Sequence, residues 1–393
     1  MTIPSGLISG PCAAVRVFFT EHLSRNRLKS FLFFFNYCFI ITLFNLVAVP
    51  DVKANDTAAQ NLESLIEAFT ASSHPRHQNV AQQLQQNSGQ WVELEGTIES
   101  YYEDHEESSD SRLRRFLVTP QGKRIELLLP EQAIEHGFGS QLAVGGVLLE
   151  SEEQALTYML ATTSNSVTST APSNAPITQT TGDQNTLAIL VNFSDDTSEP
   201  FSHTQVNQAI FGDVNAYMYD NSFGQLSLHG DISGWHTLPL SSGNCDTNAI
   251  RDAANTAATN DGANLNAYQR IIYIFPNNAC GFAGAASVGG SPSYVWLNGD
   301  ISLRIAGHEV GHTLGLAHAH GLECGADTVG NNCTSWEYAD SLDIQGQRPG
   351  NFNTFNMELL NWFSNGDVQT ATSSGHYDIE PYGAARGGLP KSI

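Results

Sequence analysis

Apolar positions change period along the first half of the chain. Leu62, Leu65, Ile66 and Phe69 recur at helical spacing, which predicts a helix after residue 55. From Trp91 to Tyr101 the period falls to two, through Val92, Leu94, Gly96 and Ile98, as in a half-buried strand. The hydrophilic run from Glu103 to Ser111 reads as a break before Phe116-Leu117-Val118. Gln121-Gly122 marks a turn into Ile125–Leu129, and Leu142–Leu149 is a further strand. About five strands in this space predict a small, mostly-β, OB-like domain over residues 55–162. It contains no catalytic cluster and no aromatic-basic surface for nucleic acid, and it reads as a folding or inhibitory pro-domain.

Residues 163–184 are dominated by Thr, Ser, Pro, Asn and Gly and read as a flexible linker, open to proteolysis. Beyond it the pattern alternates strands and helices. Leu187–Phe193 is an apolar run suited to a central strand, and Val206, Ile210, Val214 and Met218 mark a helix. Phe223–Leu228 reads as a strand, Ala249–Ala257 as a helix, and Arg270–Phe275 as the most β-prone segment of the chain. Tyr294–Leu297 follows a Gly- and Ser-rich loop and is expected to be an edge strand that pairs with extended substrate. An α/β (α+β) domain with a mixed sheet is therefore expected over residues 185–372. Gly375–Pro381 reads as a new strand, so residues 373–393 are expected to begin a truncated C-terminal β-domain.

Residues 1–54 have a different character. Arg16, Arg25, Arg27 and Lys29 precede an apolar run from Phe31 to Val49, and Val52-Lys53-Ala54 is an acceptable cleavage pattern. This is a signal peptide for export; the alternative is an uncleaved N-terminal anchor with the rest outside the cytoplasm. Cys12 and Cys38 fall in this segment, leaving Cys245, Cys280, Cys324 and Cys333. An even number in an exported chain suggests two disulfides. Three pairings are open, with Cys324–Cys333 closing a short loop and Cys245–Cys280 as the remaining pair. The net charge of −23, from 40 acidic and 17 basic residues, disfavours nucleic acid and anionic lipid as partners. Calcium is compatible with so many Asp and Asn side chains, but no motif indicates it.

The chemistry is concentrated at residues 308–318, His-Glu-Val-Gly-His-Thr-Leu-Gly-Leu-Ala-His. On a helix, His308 and His312 share one face, where two imidazoles can reach one Zn²⁺ at about 2.0–2.1 Å. Glu309 projects beside them, close enough to take a proton from a water at the metal's open side. Gly315 permits a sharp turn that returns His318 as a third nitrogen ligand. Asp300 or Ser302 is expected to cap this helix. His320, just past the motif, is read as a solvated residue or one supporting the site from behind, rather than as a ligand.

This extended motif is that of the metzincin clan of zinc endopeptidases. The surroundings resemble the gametolysin-like secreted zinc metallopeptidases, through Ser222-Phe-Gly-Gln-Leu-Ser-Leu228, Glu337-Tyr-Ala-Asp340, Asp343-Ile-Gln-Gly346 and Phe355-Asn-Met-Glu-Leu-Leu-Asn-Trp362. The resemblance covers roughly residues 185–372 and implies a metzincin-like catalytic domain with His308, His312 and His318 as metal ligands and Glu309 as general base. One departure stands out. Metzincins carry a methionine in a tight turn beneath the zinc, and the corresponding position is Gln345. The competing alignment gives that role to Met357.

The expected activity is hydrolysis of peptide bonds in extracellular proteins, with Tyr338 a candidate for lining the site. The alternatives are an exported, non-catalytic binding or adhesive protein on the same scaffold, and a zinc hydrolase acting on something other than peptides. Residues 55–244 contain no cysteine. Latency through a cysteine offered to zinc is thereby ruled out, leaving a carboxylate, a histidine or occlusion of the cleft.

Overall fold

The computed structural model describes residues 56–86, 91–105, 110–130, 138–150, 158–170, 179–327, 330–346, 348 and 350–393. The targeting segment expected at 1–54 lies outside them. The described residues all fall in one compact unit. Among these residues, it is a mixed α/β structure built on an eleven-stranded sheet.

The N-terminal part begins with α1 (Asp56–Ala71) and α2 (Pro75–Gln86), followed by β1 (Trp91–His105), β2 (Arg112–Val118), β3 (Arg124–Leu128), β4 (Gln141–Glu150), β5 (Tyr158–Ala161) and the short β6 (Val167–Ser169). The order β4-β5-β3-β2-β1 closes on itself because β1 also pairs with β4, and only β3–β5 is parallel within the ring. Closure leaves few unpaired edges. Ile98, Leu117, Ile125, Leu142, Val144 and Leu160 make one apolar cluster, while Leu65, Phe69, Val80 and Leu84 pack helices α1 and α2 against Val147, Leu149 and Met159.

The second part supplies β7 (Gly182–Phe193), β8 (Leu226–Leu238), β9 (Arg270–Phe275), β10 (Phe282–Ser287) and β11 (Ser293–Asn298) in the order β10-β11-β9-β7-β8. Strand β10 is antiparallel to β11, whereas β11, β9, β7 and β8 run parallel. Period-two alternation sends Ile272 and Ile274 to one face and Ile271, Tyr273 and Phe275 to the other. The first face is covered by a long helix formed by α3 (His203–Val206), a π-helical stretch (Asn207–Val214) and α4 (Asn215–Asn221), and by the helix that carries His308 and His312. The second is covered by α5 (Thr247–Asn260). The motif itself lies on α6 (Leu303–Thr313); β12 (Gly321–Glu323) and β13 (Thr334–Trp336) form a hairpin after it, and α7 (Thr354–Leu359) packs below.

Three expectations need correction. Tyr294–Leu297 is not an edge: β11 lies between β10 and β9. The strand beyond it is β10, Phe-Ala-Gly-Ala-Ala-Ser, whose small residues carry too little β-propensity to be told from a loop. The break expected from Glu103 begins later, because β1 continues to His105. There the strand is paired with β2 on one side and with β10 on the other, so tertiary pairing overrides the polar pattern. Finally, residues 375–381 form no strand; the segment is held by a Val368–Ser392 bridge and by Lys391, which donates to the carbonyls of Pro381, Ala384 and Ala385.

Both disulfides are formed, Cys245–Cys280 and Cys324–Cys333. Among the described residues, no helix is long and apolar enough to cross a membrane.

Candidate metal centre

Helix α6 starts at Ser302, whose carbonyl accepts from the amides of Ile305 and Ala306; Asp300 in turn accepts from the Ser302 amide. Ser302 is the N-cap by position, without a side-chain bond. Only small residues let the helix sit this deep. A Cβ on Gly307 would come within 2.8 Å of Ile344, and one on Gly311 within 2.4 Å of Gln345 Oε1. The helix ends at Thr313, and Gly315 takes φ 96°, a left-handed conformation that reverses the chain and returns His318 to the two helical histidines.

His308, His312 and His318 are all buried and their Nε2 atoms converge, with those of His308 and His312 3.1 Å apart. Each ring is fixed from behind at Nδ1. His308 Nδ1 is 2.7 Å from the Ile344 carbonyl, His312 Nδ1 is 2.8 Å from the Leu316 carbonyl, and His318 Nδ1 is 2.7 Å from Glu337 Oε1. Acceptors at Nδ1 place the proton there and leave each Nε2 lone pair facing the centre, as a metal requires.

A fourth residue enters from the N-terminal ring. Asp104, near the end of β1, brings Oδ1 to 2.8 Å from His318 Nε2 and Oδ2 to 3.3 and 3.5 Å from the Nε2 atoms of His312 and His308. All four ligand atoms lie within 4.8 Å of one another. The contact with His318 is short but not aligned as a hydrogen bond. Among the described residues, His318 Nε2, Asp104 Oδ2 and Glu309 Oε2 are all buried without a hydrogen-bond partner. Orphaned lone pairs gathered around one point fit a cation, and three imidazoles with one carboxylate suit zinc among other divalent transition metals.

Sequence reasoning missed Asp104 because it sits in the acidic run read as a break. The only available signal was the absence of cysteine, which left a carboxylate among the means of latency. In the structure β1 runs antiparallel to β10 with Asp104 opposite Gly284. Tyr102, two residues earlier on the same face, stacks on His312 with ring centroids 4.4 Å apart. Strand β1 therefore occupies the cleft in front of the histidines.

Tyr338 takes φ 58°, lays its ring 3.8 Å from that of His318, and donates its hydroxyl to Asp104 Oδ1. Burial pushes its phenol far up, as do the charge of Asp104 and the bond to it, so it stays a donor. Glu309 is fully buried above Gly284; burial, and then the charge of Asp104, push its carboxyl well above the usual range. Burial opposes the charge on Asp104 itself, but the histidines outweigh it and hold the carboxyl well below its ordinary value. Burial pushes His312 down to about 4. His318 goes the other way, since the Asp104 and Glu337 carboxylates outweigh its burial. His320 is exposed and does not join the cluster.

Beneath the centre lies the turn Asp343–Gly346. Asp343 accepts from the amides of Gln345 and Asn353 and from Asn356 Nδ2, at 2.7, 2.6 and 2.9 Å. Gln345, not Met357, is the residue against His312; Met357 packs in the core with Phe352 and Trp362.

No protein-family model matches the chain, and no curated protein matches it. Among solved structures, a chaperone–substrate complex is similar at 15% identity and a TM-score of 0.27 over 64% of this chain, which spans only 36% of that one. Metalloproteinase-II from Bacteroides fragilis is similar at 10% identity and a TM-score of 0.28, over 75% of this chain and 96% of that one. Superpositions this loose transfer no chemistry.

Proposed function

We propose that this chain is an exported zinc-dependent endopeptidase of the gametolysin-like, metzincin kind, held latent by its own N-terminal domain. The observation that carries the reading is the convergence of three Nε2 atoms and one aspartate oxygen on a buried point beside an unpartnered glutamate. His308, His312 and His318 would hold the ion, with Asp104 as the fourth ligand in the latent state. When bound, zinc would polarise the scissile carbonyl and make water a better acid. Glu309 takes the proton of the attacking water on its carboxylate and passes it to the leaving amine nitrogen. Strand β10, freed of β1, would present an unpaired edge on which an extended peptide can add as a strand. The closed strand ring at 91–161 is read as an OB-like pro-domain whose β1 fills that place beforehand.

The test is digestion of casein or gelatin by the intact chain, by Asp104→Ala, and by Asp104→Ala with Glu309→Ala, each with and without a chelator. Asp104→Ala should cleave where the intact chain does not, and the chelator or Glu309→Ala should abolish that cleavage. Cleavage that survives Glu309→Ala removes the mechanism. No cleavage by a zinc-loaded Asp104→Ala chain would favour a non-catalytic binding protein on this scaffold.

A further inference from the structure

Gln345 is completely buried under His312, in the place where an apolar methionine side chain would have no hydrogen bond to offer. Its backbone is fixed on both sides: the amide donates to Asp343 Oδ1 at 2.7 Å, and the carbonyl accepts from Ala319 at 3.0 Å. Its side chain fills the space left by Gly311. The amide group of that side chain lies with Nε2 3.2 Å from His312 Nδ1 and Oε1 buried without a partner.

Chemistry decides which end of the amide belongs against the ring. His312 Nδ1 is 2.8 Å from the Leu316 carbonyl, which can only accept, so Nδ1 carries the hydrogen and Nε2 is left for the metal. An amide N–H set against that N–H is repulsive. A half-turn about the last side-chain bond exchanges the two ends, and the two ends have nearly the same shape. We infer that Gln345 is a positioning residue whose Oε1 accepts from His312 Nδ1–H, jointly with the Leu316 carbonyl. It replaces passive packing beneath the metal with a directed hydrogen bond. Partners of this kind behind a metal-bound imidazole fix its tautomer and raise its basicity.

This inference rests on the zinc-centre reading, and its test separates the two. Zinc affinity of the intact chain is measured by competition with a chromogenic chelator for wild type, Gln345→Met and Gln345→Glu, alongside the melting temperature of each without metal. Gln345→Met keeps an unbranched side chain of similar length but no comparable acceptor, and it should hold zinc about 10-fold less tightly or worse. Gln345→Glu keeps the acceptor and loses the amide N–H, and it should hold zinc at least as tightly as wild type. Equal affinity in Gln345→Met overturns the proposal, because packing alone would then suffice. A tenfold loss in Gln345→Glu overturns it too, and decides by itself should Gln345→Met fail to fold. A wild-type chain that binds no zinc defeats the metal reading instead.

Discussion

Gly284 lies directly under Glu309: a Cβ built on it would stand 2.3 Å from Oε1 and 2.6 Å from Cδ of that carboxyl. The same glycine faces Asp104 across the β1–β10 ladder. One residue without a side chain thus makes room for the proposed base and pairs with the strand that carries the aspartate.

Gly284→Ala is expected to push the Glu309 carboxyl aside by an ångström or more while leaving the histidines in place. Misplacement of about 1 Å can cost on the order of 100-fold in rate. In the Asp104→Ala background, kcat/KM on a quenched peptide should fall by about that factor, with zinc content unchanged. Full activity would show that Glu309 has space to spare, contrary to this packing.

Tyr338→Phe removes the hydroxyl donated to Asp104 and keeps the ring on His318. A hydrogen bond to a charged group contributes about 1.5–3 kcal/mol, so the latent state should loosen by roughly 10- to 100-fold. The intact Tyr338→Phe chain should show measurable casein cleavage where intact wild type shows none. No cleavage by the variant would mean that the aspartate needs no help from the phenol.

Arg114 joins two buried carboxylates, donating to Glu103 and Glu126 at 3.0 Å each, while Arg112 and Arg76 hold their other sides. Arg114→Ala leaves both acids under-compensated and should cost about 3–5 kcal/mol in the strand ring. Urea unfolding followed through Trp91 would register it. A loss under about 1 kcal/mol, typical of exposed pairs, would contradict the burial seen here.

Acid should act on the same network. Burial alone would raise Glu126, but Arg114 and Arg76 outweigh it and bring the carboxyl from 4.5 down to about 2. A group lowered in the folded state stabilises above its unfolded value and loses that contribution as pH falls through its folded value. About 3 kcal/mol is therefore fully present above pH 4.5 and disappears on the way to pH 2. The melting temperature should drop across that window in wild type. Glu126→Gln should show a smaller drop; an equal drop would place the acid sensitivity elsewhere.

Local rules made the centre legible, and long-range pairing hid the aspartate that faces it. The spacing of His308 and His312, and the turn at Gly315, are properties of one short segment, so the convergence of the three imidazoles could be read from sequence. Gln345 could be placed because Asp343 and Gly346 bracket a turn. Asp104 could not, since its role depends on β10, 180 positions away in the ladder that joins it to Gly284. Strand β10 itself was hidden by its alanines and glycine, and the polar Glu103-Asp104-His105 became a strand only because β2, β10 and two arginines surround it.

Strand β1 is an integral member of a closed ring, hydrogen-bonded to β2 and β4 as well as to β10. On the proposed reading, severing the chain between β6 and β7, past Ser169 and ahead of Gly182, would therefore leave β1 held by β2 and β4. The cut would change only the reaction order of its rebinding, from an intramolecular closure governed by tether length to an encounter between two free molecules. Such a nicked protein would awaken on dilution, and the released domain, added back in excess, would silence it again.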